Sequence, residues 1–169
     1  RHDVGAVFVQ TIEAAARNWA GMDQSGMCVF NETCGLGLAL EHNGDIYSCD
    51  HFVDPEFLVG NINEASIGTL VSGRQQYDFG QDKRAGLPQY CLDCDVRFAC
   101  HGECPKNRFI TTPDGAPGLN SLCAGFKRFL HHFDRPMRIL SDLMRRGQPS
   151  AGVRDIRAAE AQQFRHALQ

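Results

Sequence analysis

The segment CLDCDVRFACHGECP, residues 91–105, holds four of the eight cysteines in this chain of 169 residues. Its spacing is C-x2-C-x5-C-x3-C-P, and the last cysteine, Cys104, is followed by Pro105. A C-x2-C turn brings two thiolates to one metal site, and main-chain amides that point at the sulfurs tune that site. In bacterial two-cluster ferredoxins, the cysteine before the proline binds the other cluster. By the same logic, we expect Cys104 to leave its neighbours and to serve a second site.

The other four cysteines lie on both sides of this segment. Once Cys104 is assigned to a second site, the eight thiols divide evenly into two sets of four. Each set supplies the four thiolates that a [4Fe–4S] cluster takes. The sequence therefore predicts two iron–sulfur sites, one with Cys91, Cys94, Cys100 and Cys123, and one with Cys28, Cys34, Cys49 and Cys104.

Three other uses of cysteine compete with this interpretation. Disulfide frameworks are typical of short exported chains with small cores, whereas this chain carries 11 Phe. A catalytic thiol is a lone cysteine with a base nearby, and here the thiols are clustered. Structural zinc also takes four thiolates, but zinc ribbons usually pair two C-x2-C turns and this sequence has one. The irregular spacing favours iron–sulfur, and zinc remains the open alternative.

Composition and charge narrow the function classes further. The formal net charge is −3, which argues against nucleic acid as the main partner because phosphate binding needs a basic surface. No run of 18 apolar residues is present, so we expect no membrane span. The start, RHDVGAVFVQ, lacks a signal-peptide pattern and an initiating methionine. We expect a cytoplasmic protein, of which this chain is a fragment.

The hydrophobic pattern predicts an α+β domain organised by its metals, with one hairpin, long loops and covering helices. Alternating residues around Asn43-Gly44 indicate a β-hairpin, and Cys34 and Cys49 fall at its open end. We expect a loop over residues 81–90. The expected helices cover Val4–Trp19, a stripe from Leu122 that Pro136 kinks or restarts, and a detached segment at Arg154–Leu168.

The full cysteine pattern resembles the SPASM domain, the C-terminal extension of radical S-adenosylmethionine enzymes that modify peptides and proteins. The resemblance covers Cys28 to Phe133 and includes Cys34-x9-Gly44-x4-Cys49 as well as the segment 91–105. Finer detail is similar to the anaerobic sulfatase-maturating enzymes, in Phe8-Val9-Gln10, Cys28-x5-Cys34, YSCDHFV at 47–53 and LVGNI at 58–62. That family carries two auxiliary [4Fe–4S] clusters with four cysteines each, and the partition it implies is the one given above.

The resemblance also implies an activity and partners. The family oxidises a cysteine or serine of a sulfatase to formylglycine. A deoxyadenosyl radical takes a hydrogen atom from the substrate, and an aspartate, which corresponds to Asp50, removes a proton. The implied partners are a sulfatase or other peptide substrate and a reductase or flavodoxin/ferredoxin-type electron carrier.

One departure from the family sets the expected boundaries. The Cys-x3-Cys-x2-Cys motif that holds the cofactor-binding cluster in a barrel is missing from this sequence. We therefore expect residues 1–24 to be the terminal helix of a preceding barrel, 25–133 the SPASM domain and 134–169 a helical extension. S-adenosylmethionine and a third [4Fe–4S] cluster would belong to the missing barrel, and the fragment alone would be inactive. Alternatives are another radical S-adenosylmethionine peptide-modifying enzyme, a ferredoxin-like carrier, or a zinc or iron–sulfur docking module without catalysis.

Several charged and imidazole side chains flank the cysteines without a firm role. His51 and His101 lie beside predicted ligands, and we expect them to support the sites or to lie on the surface. The basic residues either offset cluster charge or form a solvated face; they are Arg97, Lys106, Arg108, Lys127 and Arg128.

Overall fold

The computed structural model describes residues 6–22 and 25–167. The helices are α1 (Gln10–Trp19), α2 (Ile67–Val71), α3 (Arg74–Ala85), α4 (Gln89–Leu92), α5 (Arg97–Cys100), α6 (Cys123–Arg145) and α7 (Gly152–Ala167), with 3-10 turns at Cys28–Phe30, Pro55–Phe57 and Pro105–Asn107. The strands are β1 (Ala39–Leu40), β2 (Asp45–Tyr47), β3 (Leu58–Asn61), β4 (Ile110–Thr111) and β5 (Pro117–Leu119). This mixture confirms the predicted α+β class. Within the described ranges, no helix is both long and apolar enough to cross a membrane.

The predicted hairpin is confirmed as β1 and β2, which β3 extends to a three-stranded antiparallel sheet. Gly44 closes the turn with φ +91°, a conformation that suits glycine. An added Cβ there would lie 2.7 Å from the Asn63 side-chain nitrogen and 2.9 Å from Asn61 Oδ1. Asn61 Nδ2 donates to Asp45 Oδ1 at 2.9 Å, which ties β3 to the start of β2. The turn thus fixes the register of the strand that leads into Cys49.

The main core lies where α1, α5 and α6 meet. Its buried side chains are Ala15, Ala16, Trp19, Val96, Ala99, Leu130 and Met137, with Cys94 and Cys100 packed against them. Polar bonds reinforce the contact, because Trp19 Nε1 donates to Asp134 Oδ1 at 3.1 Å and Ser141 Oγ donates to the Trp19 carbonyl at 3.0 Å. Cys94 and Cys100 therefore rest against the apolar core.

Two predictions for the first half of the chain are wrong in detail. Helix α1 begins at Gln10 rather than at Val4, which lies outside the described residues, and Val7 and Phe8 are exposed ahead of it. The expected loop over residues 81–90 is largely helical, because α3 continues to Ala85 and α4 begins at Gln89. The buried face of α3 carries Gln76, Gly80 and Lys83 instead of apolar side chains, so an apolar stripe does not reveal it.

The C-terminal helices also differ from expectation. Helix α6 runs without a break through Pro136, although proline removes a donor from the helix. Buried Leu130 and Met137 on either side anchor the helix to the core and offset that loss. Helix α7 is not detached, because Glu160 pairs with Arg135 of α6. Its first residue, Gly152, also packs on Leu143, since a Cβ built at Gly152 would lie 3.4 Å from the Leu143 side chain.

The core packing predicts a large difference between two methionines on α6. Met137 is 2% exposed and Met144 is 46% exposed. We expect Met137→Ala to lower the free energy of unfolding by about 2 to 5 kcal/mol, because it leaves a cavity in the core. Met144→Ala should cost less than about 1 kcal/mol. Denaturant unfolding followed by circular dichroism measures both, and equal losses would contradict the assignment of the core.

Candidate metal centres

The structure gathers the eight cysteines around two separate cavities. The first cysteine cavity is lined by Cys28, Cys34, Cys49 and Cys104. The second cysteine cavity is lined by Cys91, Cys94, Cys100 and Cys123. None of the eight forms a disulfide. These are the two sets that the Cys-Pro argument separates, whereas metal ligation by them stays a prediction.

Cys100 and Cys104 are consecutive cysteines in the chain, yet they reach different cavities because the chain reverses between them. His101, Gly102 and Glu103 have φ values of +49°, +72° and +56°, so three successive residues are left-handed. For residues other than glycine this conformation costs roughly 1 to 2 kcal/mol each, so surrounding bonds must hold it. The reversal after Cys100 directs Cys104, which is 7% exposed, into the first cavity.

Arg108 holds this left-handed turn through main-chain carbonyls. Its Nε donates to Gly102 O at 3.0 Å, and its Nη2 donates to His101 O and Glu103 O at 3.1 Å. Its Nη1 donates to Lys83 O at 2.7 Å, which joins the turn to α3. The Glu103 carboxylate is buried and accepts from Asn107 and Asn120 instead of from Arg108.

Helix α3 carries no cysteine, yet one stripe of it contacts the loops of the first cavity. Gln76 Nε2 donates to Gly35 O at 3.3 Å and to Ser48 O at 3.1 Å, next to Cys34 and Cys49. The Cys34 N–H donates to Gly80 O at 3.0 Å. Residues 76, 80 and 83 share one helix face because they follow an i, i+4, i+7 spacing.

Lys83 completes the stripe with a buried ammonium group. The side chain is 1% exposed, and Nζ donates to the carbonyls of Cys28, Val29 and Asn31 at 2.7, 3.0 and 2.5 Å. Burial lowers the pKa of Lys83, since charge is costly away from water. The lysine closes the 3-10 turn that begins at Cys28 and faces the first cavity.

The second cavity has a more apolar wall. Leu119, Phe126 and Val96 line it together with Tyr90 and Lys127. Its cysteines come from α4, the turn after it, the end of α5 and the start of α6. The site is therefore assembled from helix ends, with α5 held by the core.

The spacing of the thiols tests which metal group fits. A tetrahedral zinc ion with Zn–S bonds of about 2.3 Å brings its sulfurs to about 3.8 Å from one another. Among the described residues, only the donor atoms of Cys49, Asp50 and His51 form a trio lying within 4.8 Å of one another. No three cysteine sulfurs in those ranges do so. The thiols of the described residues are therefore not arranged as the closely spaced ligands of one zinc ion.

The protonation of the thiols argues against a catalytic cysteine. Burial raises the pKa of Cys49 to about 11 and that of Cys100 to about 11. Burial also raises the pKa of Cys34, Cys91, Cys104 and Cys123. A nucleophilic cysteine needs a lowered pKa, whereas a metal ligand loses its proton on binding.

Each cavity has an aspartate directly after one of its cysteines, but the two differ. Asp50 is exposed, and Cys49 Sγ donates to its Oδ1 at 3.2 Å, which lowers the pKa of Asp50. The other carboxylate, Asp95, lies 3.8 Å from Cys94 Sγ and pairs with His131 at 3.3 Å and Lys127 at 3.8 Å. Within the described part of the chain, Asp50 has no such ion pair.

The flanking residues named from the sequence separate into different environments. His51 Nδ1 lies 3.4 Å from Cys104 Sγ, whereas His101 lines a neighbouring cleft and its pKa is lowered by burial. Arg97 and Arg128 are exposed, and exposed Lys106 pairs with Asp54 at 3.4 Å. Gln76 and Lys83 were not identified from the sequence. The signal there was limited to polar residues at helical spacing.

Comparison with known proteins identifies the class. The family model of the SPASM domain, described as an iron–sulfur cluster-binding domain, matches residues 28–95. Residues 28–95 therefore match a SPASM domain, and the sequence relatives of the chain are anaerobic sulfatase-maturating enzymes. Solved structures of anSMEcpe with bound AdoMet, one of them also with a Kp18Cys peptide, share the fold at a TM-score of 0.63 and 23% identity. That match covers 78% of this chain and 35% of the other.

The relatives include serine-type and cysteine-type enzymes. The chain is 42% identical over 153 residues to a serine-type anaerobic sulfatase-maturating enzyme of Bacteroides thetaiotaomicron, covering 90% of this chain and 37% of the relative. It is 36% identical to a serine-type enzyme of Klebsiella pneumoniae, over 83% of this chain and 33% of the relative. A cysteine-type enzyme of Clostridium perfringens is 25% identical over 72% of this chain and 33% of the relative. The chain thus spans about a third of the length of these relatives.

The contact between α3 and the first cavity predicts a sensitive glycine. A Cβ at Gly80 would lie 2.8 Å from the Cys34 carbonyl oxygen, whereas a Cβ at Gly125 would meet nothing within 4 Å beyond its chain neighbours and its own helix backbone. We expect Gly80→Ala to cost about 1 to 3 kcal/mol of unfolding free energy because backbone must move. Gly125→Ala should be neutral or stabilising by up to about 1 kcal/mol. Denaturant unfolding measures both, and a stable Gly80→Ala protein would contradict the close packing.

Proposed function

We propose that this chain is the auxiliary-cluster part of a radical S-adenosylmethionine oxidoreductase that converts a sulfatase residue to formylglycine. The observation that carries the proposal is the placement of eight cysteines around two cavities in a chain so similar to such enzymes. S-adenosylmethionine and a third [4Fe–4S] cluster would belong to the part of the protein that these relatives have and this chain does not cover.

Two [4Fe–4S] clusters are assigned to this chain. The ligands would be Cys28, Cys34, Cys49 and Cys104 in the first cavity, and Cys91, Cys94, Cys100 and Cys123 in the second. The two sets of four thiols, one around each cavity, and the match to an iron–sulfur cluster-binding domain support this assignment over zinc. When bound, such a cluster would supply a one-electron acceptor.

Asp50 is proposed as the general base. Oxidation of a CH2–OH side chain to an aldehyde removes one hydrogen atom, one proton and one electron. The radical formed in the missing part takes the hydrogen atom, and the Asp50 carboxylate accepts the proton from the hydroxyl. Its exposure, its position after Cys49 and its lack of an ion pair among the described residues support this role.

Serine is the expected target residue, because the relatives with 42% and 36% identity are serine-type enzymes. The substrate would be a sulfatase peptide, and a reductase or a flavodoxin/ferredoxin-type protein would exchange electrons with the clusters. Residues 1–24 are proposed as the end of a preceding barrel, 25–133 as the SPASM domain and 134–169 as an extension. Exposed Val7, Phe8 and Val9 ahead of α1 support a further domain on that side.

The partition of the cysteines predicts how iron is lost. After anaerobic reconstitution, we expect about eight irons per chain, and about four in Cys28→Ala, Cys104→Ala or Cys123→Ala. Combining Cys28→Ala with Cys104→Ala should still leave about four irons, because both ligands serve one site. Combining Cys104→Ala with Cys123→Ala should leave none. Iron and sulfide analysis measures this, and the opposite order of the two double variants, or zinc in place of iron, would refute the assignment.

The role of Asp50 predicts a selective loss of activity in the full-length enzyme. Asp50→Asn keeps the shape and removes the proton acceptor, so formylglycine formation on a serine peptide should fall by about a hundred- to ten-thousand-fold. Iron content and S-adenosylmethionine cleavage should stay near normal. Asp54→Asn, an exposed acid in the same loop, is the matched control and should keep the wild-type rate. Wild-type turnover by Asp50→Asn would exclude the base role, and loss of iron would make Asp50 a support for Cys49.

A further inference from the structure

Two cations near the cysteine cavities lack carboxylate partners. Lys83 is 1% exposed and Arg108 is partly buried, and all their hydrogen bonds given by the structure go to main-chain carbonyls. Within residues 6–22 and 25–167, neither has an ion pair with an acid. Buried charges are normally paired, because removal from water is costly. Such cations indicate that a negative group belongs nearby.

The hydrogen bonds of Lys83 match those of a charged ammonium group. Its Nζ has three carbonyl acceptors, at Cys28, Val29 and Asn31. An ammonium group has three N–H donors, whereas a neutral amine has two, so three acceptors are satisfied only by the charged form. Arg108 is charged at any ordinary pH.

The two cations are placed differently relative to the cavities. Lys83 lines the first cavity together with its four cysteines. Arg108 binds the turn between the two cavities: its Nε donates to the carbonyl of Gly102, which lines the second cavity, and its Nη2 donates to the carbonyls of His101 and Glu103, just before Cys104 of the first. The bond from Arg108 Nη1 to Lys83 O connects them. The second cavity is lined by a different lysine, Lys127. Its side chain is 39% exposed, so water and salt screen its charge.

We propose that Lys83 and Arg108 are fixed counter-charges of the two cavities, and that Lys83 raises the reduction potential of the cluster in the first. The inference rests on the proposed iron–sulfur function. Four thiolates and their cluster carry net negative charge, and reduction adds one more. A fixed cation in a region of low dielectric stabilises the reduced form, since net charge is one of the factors that set cluster potentials.

The test is a potentiometric titration of the reconstituted full-length protein, followed by electron paramagnetic resonance. Lys83→Met removes the charge and keeps the length of the side chain. The resonance signal of the first-cavity cluster is identified as the one lost in Cys28→Ala. In Lys83→Met this signal should titrate at a lower reduction potential, while the potential of the second-cavity signal stays unchanged. Lys127→Met is the matched control and should shift neither signal. An unchanged first-cavity potential in Lys83→Met overturns the inference.

A second variant separates charge from loop position. Gln76→Leu removes neutral hydrogen bonds from the same helix face to the same cavity, without a change in charge. Its first-cavity potential should stay at the wild-type value, and a shift equal to that of Lys83→Met would overturn the charge argument. If Lys83→Met loses the iron of the first cavity, Lys83→Arg separates charge from side-chain shape. Retained iron in Lys83→Arg supports a need for the positive charge, whereas an equal loss of iron overturns the inference.

The wild-type protein distinguishes this inference from the proposed function. If wild type takes up no iron in the first cavity, the proposed metal site itself is wrong. If wild type holds both clusters and the Lys83→Met titration is unchanged, the metal sites stand and only the role of Lys83 is excluded.

Discussion

The bonds from the Lys83 ammonium to three carbonyls of the Cys28–Asn31 segment are the contact on which the first cavity depends. In this segment only the Phe30 side chain is fully buried, so apolar packing alone holds little of it. Helix α3 instead fixes it from outside, with Lys83 at one loop, Gly80 against Cys34, and Gln76 between Gly35 and Ser48. A helix without a cysteine thus positions three of the four thiols, and its buried polar face is the reason.

The second constraint is the left-handed turn between Cys100 and Cys104. It allows two thiols that are close in sequence to reach different cavities, and Arg108 holds it while also contacting α3. The core fixes one side of this turn through α5, and the Lys83–Arg108 contact fixes the other. The two cavities therefore share the contacts of Arg108, so a displacement of Arg108 would change the positions of residues at both cavities.

The parts of the structure that sequence reasoning predicted have local signals. Asn43-Gly44 indicates its hairpin because the turn type demands those residues, and the two groupings of cysteines follow from the Cys-Pro spacing. The C-terminal half of helix α3 was taken for a loop because its buried face is polar, and the hydrophobic pattern reports only apolar burial. Lys83 could not be chosen from sequence, since its role depends on carbonyls more than 50 residues away.

The two cavities are unequal in a way that bears on the proposed chemistry. The first has a buried cation and an exposed carboxylate, Asp50, which has no ion pair among the described residues. The second has apolar walls, and its carboxylate, Asp95, is already paired with His131 and Lys127. A carboxylate that must accept a substrate proton works best when it is accessible and uncommitted. An electron acceptor is favoured by a fixed positive charge beside it. Among the described residues, both properties occur together only at the first cavity, so under the proposed function substrate oxidation would take place on that side and the second cavity would serve electron transfer away from it.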